Sequence, residues 1–549
     1  MTPDTTRLIL AGLVVAGVLS LAACGGGSSG GDGGAPPAPA PPPPDPQVRV
    51  TGSSPFAAGC GGGAPSGTLY PGAEVETMIA VNPRDPNNLV GVWQQDRWSN
   101  GAAQGLMTGA SFDGGRTWER RAAPFSRCTG GNAANGGDYE RATDPWVSFG
   151  PDGSAWQIAL ATSGASFATG SSNAILASRS FDGGRTWSDP VTLIRDSGQF
   201  FNDKESITAD PADPRYVYAT WDRLRENDSG PTWFSRTIDG GQSWEPARSI
   251  FSPGSGSQTI NNQIVVLPDG ALVNFFTWFD ATTNNLLHGK LAVMRSADKG
   301  FTWSAPTVIT VGQAIGASDP ETGAHIRDGA NLGSIAIGPR GELVVVWQDA
   351  RFSGGARDGI AFARSLDGGL SWSAPVRING DPAVHAFVPS VAVRSDGTIG
   401  VSYYDLRNNT PDPTTLPTDY WLARSTDGVT WRESHVTGPF NLAIAPNANG
   451  LFLGDYQALT SIGDTFVPFY VKTNEGDTGN RTDVFATLAS SVASAAEAKS
   501  AAAATSATGE AVFRATAAEP LAMTPELQQR LHDSVVRTMQ RRVPGWTPP

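Results

Sequence analysis

The chain is 549 residues long with a formal net charge of −13, and it carries 65 Gly, 41 Pro, 23 Phe and 16 Trp. So many large aromatic residues exclude a disordered chain, and the unperiodic glycine excludes collagen. The acidic excess leaves no positive field for phosphates, so nucleic acid is not an expected partner.

Residues 1–23 read as an export signal. Arg7 precedes an apolar run over 8–23 that is too short to span a bilayer. The run ends in Leu21-Ala-Ala-Cys24, which resembles the lipobox of bacterial lipoproteins. That resemblance implies cleavage before Cys24 and diacylation of its thiol. Gly25, where an aspartate would retain the protein at the inner membrane, implies the outer membrane of the cell envelope. An ordinary cleaved signal followed by an incidental cysteine is the alternative. Membrane contact is expected through the lipid alone. Residues 24–46 run from Gly/Ser into polyproline, a flexible piece followed by a stiffer stalk. Two cysteines remain, Cys60 and Cys128. Export to an oxidising compartment predicts a disulfide between them, with two buried thiols as the alternative.

Across residues 47–491 one short motif recurs six times. The copies are Ser111-Phe-Asp-Gly-Gly-Arg-Thr-Trp118, its repeat at 180–187, Thr237-Ile-Asp-Gly-Gly-Gln-Ser-Trp244, Ser296-Ala-Asp-Lys-Gly-Phe-Thr-Trp303, Ser365-Leu-Asp-Gly-Gly-Leu-Ser-Trp372 and the shorter Ser425-Thr-Asp-Gly-Val-Thr-Trp431. Asp and hydroxyl side chains can accept hydrogen bonds from turn amides, Gly supplies positive φ, and Trp offers a large apolar body to a neighbouring sheet. Turn chemistry accounts for every residue, so the motif reads as structural.

These copies resemble the Asp boxes (BNR repeats) of sialidase-type β-propellers. The resemblance implies an all-β fold of four-stranded antiparallel blades. In the first unit, strands are expected over 78–82, 89–95 and 104–112, with a fourth starting at Trp118. A seventh set over 458–462, 465–471 and 483–489 lacks a box, and Val48-Arg-Val-Thr51 can supply its fourth strand. That closure removes an open sheet edge and favours seven blades over the six of true sialidases. It also sets Cys60 and Cys128 on equivalent loops of adjacent blades. Residues 492–549 read as an Ala-rich linker and a short docking helix, capped by Thr524 with Pro525 at its first position.

Ligand chemistry is expected where first strands begin and second strands end, on the face opposite the boxes. An Asp–Arg pair leaves four second strands: Asp96-Arg97, Asp222-Arg223, Asp349-Ala-Arg351 and Asp405-Leu-Arg407. Its arginines suit a carboxylate or sulfate; equally, the repetition suits salt bridges between blades. At the first-strand entries, Glu76, Asp144, Asp203, Glu205, Asn262, Asn331, His385, Asp455 and Tyr456 differ from blade to blade, as a site grafted on a repeat should.

The sialidase resemblance implies a Tyr–Glu nucleophile pair and an Asp acid/base. Tyr456-Gln-Ala-Leu459 is similar to the family's tyrosine text, Glu205 is the candidate activating carboxylate, and Asp96 the candidate acid/base. Arg97, Arg223, Arg351, Arg407, Asp144, Asp455 and His385 are candidate substrate contacts. The family's first-blade Arg-Ile-Pro is absent, and Glu76-Thr-Met78 stands there instead, so sialic acid specificity does not follow. The expected activity is glycoside hydrolysis of a glycan, anionic or not. The alternatives are a polysaccharide lyase using Tyr456 and His385, and a non-catalytic tethered propeller that binds glycan or protein. No cofactor or metal ligand set is expected beyond a structural calcium, for which a loop such as that holding Asp412 and Asp419 offers oxygens.

Overall fold

The computed structural model describes residues 46–62, 66–226, 229–280, 288–489, 510–519 and 521–543. The expected signal, Cys24 and nearly all of the stalk lie outside them.

Strand pairing among the described residues gives seven antiparallel four-stranded sets. The first holds Val75–Val81, Leu89–Trp98, Ala103–Ser111 and Glu119–Arg121. The next five follow in the same order and begin at Arg141–Phe149, Phe200–Ala209, Gln258–Val266, Gly333–Ile337 and Ala386–Val393. The last consists of Ala458–Ile462, Thr465–Thr473, Thr482–Thr487 and the N-terminal strand Gln47–Arg49, which pairs Val48 with Ala486. One residue pair, Ala103 with Ala142, joins the first two sets into a continuous sheet. Each first strand packs on that of the next set, and Ala458–Ile462 packs back on Val75–Val81. The sets therefore follow one another around a closed ring.

The boxes supply the turns and the contacts between sets. Asp113 accepts from the Thr117 amide at 2.9 Å and from its hydroxyl at 2.6 Å, while Gly115 N donates to Ser111 Oγ at 2.8 Å. Gly115 has φ +88°, which a side chain would oppose. Four of the six closing tryptophans meet an aromatic ring of the preceding set: Trp118 lies 5.5 Å from Phe469, Trp244 6.1 Å from Trp156, Trp303 5.6 Å from Phe234 and Trp431 5.5 Å from Phe362, between ring centroids. Cys60 and Cys128 form a disulfide.

After the ring, Ala511–Arg514 adds to the outer strand of the sixth set and Thr516–Ala517 to that of the fifth. Helix α1 (Pro525–Arg542) follows, with the Thr524 hydroxyl accepting from Leu527 N. Its apolar face, Leu527, Leu531, Val535 and Met539, is buried. Among the described residues no helix is long and apolar enough to cross a membrane.

Candidate active site

Five first strands break register near their start, and at each break one residue has a left-handed backbone: Glu76 (φ 52°), Asp144 (53°), Lys204 (49°), Asn261 (66°) and Val388 (51°). Such bulges re-aim a side chain at a cost of about 1–3 kcal/mol where the residue is not glycine. Here they bring residues from separate sets together. Lys204 Nζ lies 3.0 Å from Glu76, 2.7 Å from Asp144 and 3.0 Å from Asp455. All four side chains are buried. Burial alone would lower the Lys204 ammonium, but Asp144, Asp455 and Glu76 outweigh it and hold it well above the ordinary lysine value. Burial pushes Glu76 up to about 7 against the pull of Lys204. Asp455 goes the other way: Arg327, paired at 2.6 Å, and Lys204 overcome its burial and hold it well below the ordinary range.

Above this cluster opens a cavity of about 550 Å³. Arg97, Glu140, Asp144, Lys204, Arg327 and Asp455 line it together with Arg541 of α1. Arg97 and Arg327 both stack on the Phe452 ring, 4.9 Å and 4.2 Å from its centroid. A volume of this size lies in the range of small-molecule sites, roughly 300–1,000 Å³.

Tyr456 adjoins the cluster. Its ring centroid is 5.2 Å from Lys204 Nζ and 5.7 Å from the Trp146 ring, and its hydroxyl donates to Pro145 O at 3.2 Å. Burial, then the charges of Glu76, Asp144, Glu205 and Asp455, raise that hydroxyl well above the ordinary tyrosine value. Glu205 is buried, and among the described residues neither carboxyl oxygen has a hydrogen-bond partner. Burial and Asp144 raise it well above the usual carboxylate range.

The other expected residues go elsewhere. Asp96 is buried and accepts from Gly72 N, Gln95 Nε2, Gln104 Nε2 and the Ser54 hydroxyl at 2.5–2.9 Å, a saturated structural knot with no free oxygen for acid/base work. Arg223 forks onto Asp196 of the preceding set at 2.6 Å and lies 3.7 Å over Phe200. Arg351 is held by Asp349 at 2.7 Å, and Arg407 by Asp405 and Glu433 at 2.6 and 2.7 Å. Of the four repeated arginines only Arg97 lines the cavity; the other three serve as ion-pair struts. His385 accepts from Asp358 N through Nδ1 and lies outside the cavity lining, and burial pulls it down to about 4. Asn262 bonds Asp222 at 2.7 Å, and Asn331 reaches Thr538 of α1 at 3.2 Å.

Lys204, Arg327 and Arg541 are cavity residues that sequence reasoning did not single out. Lys204 sits between Asp203 and Glu205, where a lysine reads as a solvated ion pair. The usable signal was positional: Glu76, Asp144 and Lys204 interrupt their strands at one equivalent offset.

No family model and no curated protein matches the chain. Solved structures that resemble it include the Hadza microbial sialidase Hz136, at 17% identity and TM-score 0.38 over 76% of this chain and 66% of that one. This chain thus spans just under two thirds of that sialidase's length. A Penicillium chrysogenum α-L-arabinanase complexed with arabinobiose aligns at 13% identity and TM-score 0.42 over 81% and 99%. A leech intramolecular trans-sialidase aligns at 12% and 0.37 over 76% and 92%.

Proposed function

We propose that the chain is an exported glycoside hydrolase built on a seven-bladed β-propeller (residues 47–491), tethered to the envelope through a lipid on Cys24. The observation that carries the reading is a buried carboxyl with no hydrogen-bond partner among the described residues, Glu205, whose charge acts on Tyr456 next to the Lys204, Asp144 and Asp455 wall of the cavity.

In this mechanism the Tyr456 oxygen attacks the anomeric carbon, and its proton passes to ionised Glu205. The glycosidic C–O bond breaks and the leaving oxygen takes a proton. Water then attacks the anomeric carbon and gives its proton to the carboxylate that acted as acid, the glycosyl–tyrosine bond breaks, and Glu205 returns its proton to the tyrosine oxygen. A neutral nucleophile avoids setting a charge against an anionic sugar. Of the carboxylates that line the cavity, Asp203, Asp455 and Asp144 are held by Arg542, Arg327 and Lys204, which leaves Glu140 to protonate the leaving oxygen, the role expected of Asp96.

Methylumbelliferyl glycosides, including the sialoside and the glucuronide, test this on the purified full chain. Release of fluorophore that Tyr456→Phe lowers at least a thousandfold supports hydrolysis. Release unchanged by that substitution, or none across the panel, contradicts it. Because Glu205 must be ionised to receive the proton, activity should climb as pH rises through its raised value. The raised Tyr456 hydroxyl favours a second reading, a propeller that binds glycans without cleaving them; glycan binding with no turnover would select it. His385, the partner of Tyr456 in the lyase alternative, accepts from Asp358 N through Nδ1 and is pulled down to about 4 by burial.

A further inference from the structure

Helix α1 lies outside the ring in sequence, yet it forms part of the cavity wall. Leu527 and Leu531 pack on Ile315 and Ala350, and Val535, Met539 and Val543 pack on Leu224, Ile260, Phe279 and Leu332. Arg530 donates to Gly355 O at 2.7 Å and Arg537 to Ile315 O at 2.8 Å. Arg542 fixes the last turn: it meets Asp203 at 2.6 Å and Asp222 at 3.3 Å and donates to Thr259 O at 2.9 Å. With that turn fixed, Thr538 and Arg541 face the cavity.

Arg541 differs from its neighbour. Among the described residues its side chain donates from Nη2 to the Thr538 hydroxyl at 3.0 Å, inside the helix, and Nη1 is shut off from solvent with no partner. Arg97 is alike: Nη1 donates to Gln94 Oε1 at 2.6 Å, while buried Nε has no acceptor. Neither forms an ion pair with a carboxylate among the described residues. Burial, with the like charge of Arg327, pulls both guanidinium groups down to about 10. Buried donors of this kind cost free energy until an acceptor arrives. Six cationic side chains and four carboxylates line the cavity of a chain whose formal charge is −13. The local excess is therefore opposite in sign to the whole molecule and favours an anion.

We propose that α1 completes the binding site, with Arg541 as a specificity residue that holds an anionic group of the glycan, a carboxylate or a sulfate, together with Arg97. The proposal deepens the reading of this cavity as a glycan site and adds an element from beyond the propeller. Chain ends or branches bearing a uronate or a sulfate ester are the ligands it fits, and a neutral sugar leaves Nη1 unpaired.

The test is calorimetric titration of the full chain with sodium glucuronate, sodium sulfate and glucose. The expected result is binding of one or both anions at least tenfold tighter than glucose. Arg541→Gln should weaken anion binding more than tenfold with an unchanged melting temperature, and Arg541→Lys should restore part of it. Tighter glucuronate would assign a carboxylate, and tighter sulfate a sulfate ester. Equal binding by the wild-type chain and Arg541→Gln, equal affinity for glucuronate and glucose, or no anion bound by the wild-type chain would each overturn the proposal. Anion binding that depends on Arg541 in a chain without glycosidase activity would uphold it while removing the hydrolase reading.

Discussion

Lys204 Nζ lies 3.0 Å from Asp455, a link between the first strand of the third set and the loop that opens the seventh. The same ammonium holds Glu76 and Asp144, so one cation joins four sets at the ring's centre. Removing it leaves buried carboxylates facing one another. Lys204→Met should cost about 3–5 kcal/mol, the usual result of breaking a buried pair from one side. Urea unfolding measures this, and a loss below about 1 kcal/mol would contradict the cluster's role.

The Cys60–Cys128 bridge closes 68 residues of chain that include the first box. Replacing both with serine should lower stability by about 2–4 kcal/mol through the entropy returned to the unfolded chain. A melting temperature that does not respond to reductant in the wild-type protein would oppose this.

The box carboxylates make acid stability predictable in sign. The Ser243, Thr302 and Ser371 hydroxyls, with the turn amides, hold Asp239, Asp298 and Asp367 down to about 2. A carboxyl depressed on folding binds fewer protons folded than unfolded, so its contribution is present above the unfolded value near 4 and disappears as pH falls towards 2. Asp239→Asn, Asp298→Asn and Asp367→Asn combined should flatten the decline in melting temperature over that window. An unaltered slope would count against the hydrogen-bond account.

Ring closure can be probed at Thr51. Its hydroxyl donates to Asp483 at 2.7 Å and accepts from Val484 N at 2.9 Å, pinning the N-terminal segment to the last set. Thr51→Val preserves shape but leaves a buried amide unsatisfied, so it should cost about 1–3 kcal/mol. Hydrogen exchange should quicken first at Val484 and Val50, whose amide donates to Val484 O.

Periodic features were legible in the sequence because each is a local turn or strand written several times over. Ser111-Phe-Asp-Gly-Gly-Arg-Thr-Trp118 announces its own hairpin, and Val48-Arg-Val-Thr51 could be matched to the last set because that set lacked a fourth strand. Tyr456, Glu205, Asp144 and Asp455 were placed near one another by strand-entry position alone. The repeated Asp–Arg pair left two readings open: Arg223, Arg351 and Arg407 are held in ion pairs, while Arg97 lines the cavity, and the repetition alone could not tell them apart. Arg541 was invisible for another reason. Its charged neighbours outside the helix, Asp455, Arg327 and Asp328, come from distant segments of the chain, and nothing in an amphipathic helix says which turn will meet a cavity.

The proposed hydrolysis depends on attack by the Tyr456 oxygen on the anomeric carbon. Incubating the full chain with fluorinated glycosides bearing activated leaving groups, then mapping peptides by mass spectrometry, tests it most directly. A glycosyl adduct on the peptide containing Tyr456, absent in Tyr456→Phe, is the predicted result. Turnover with the adduct on another residue, or with none formed, would contradict it.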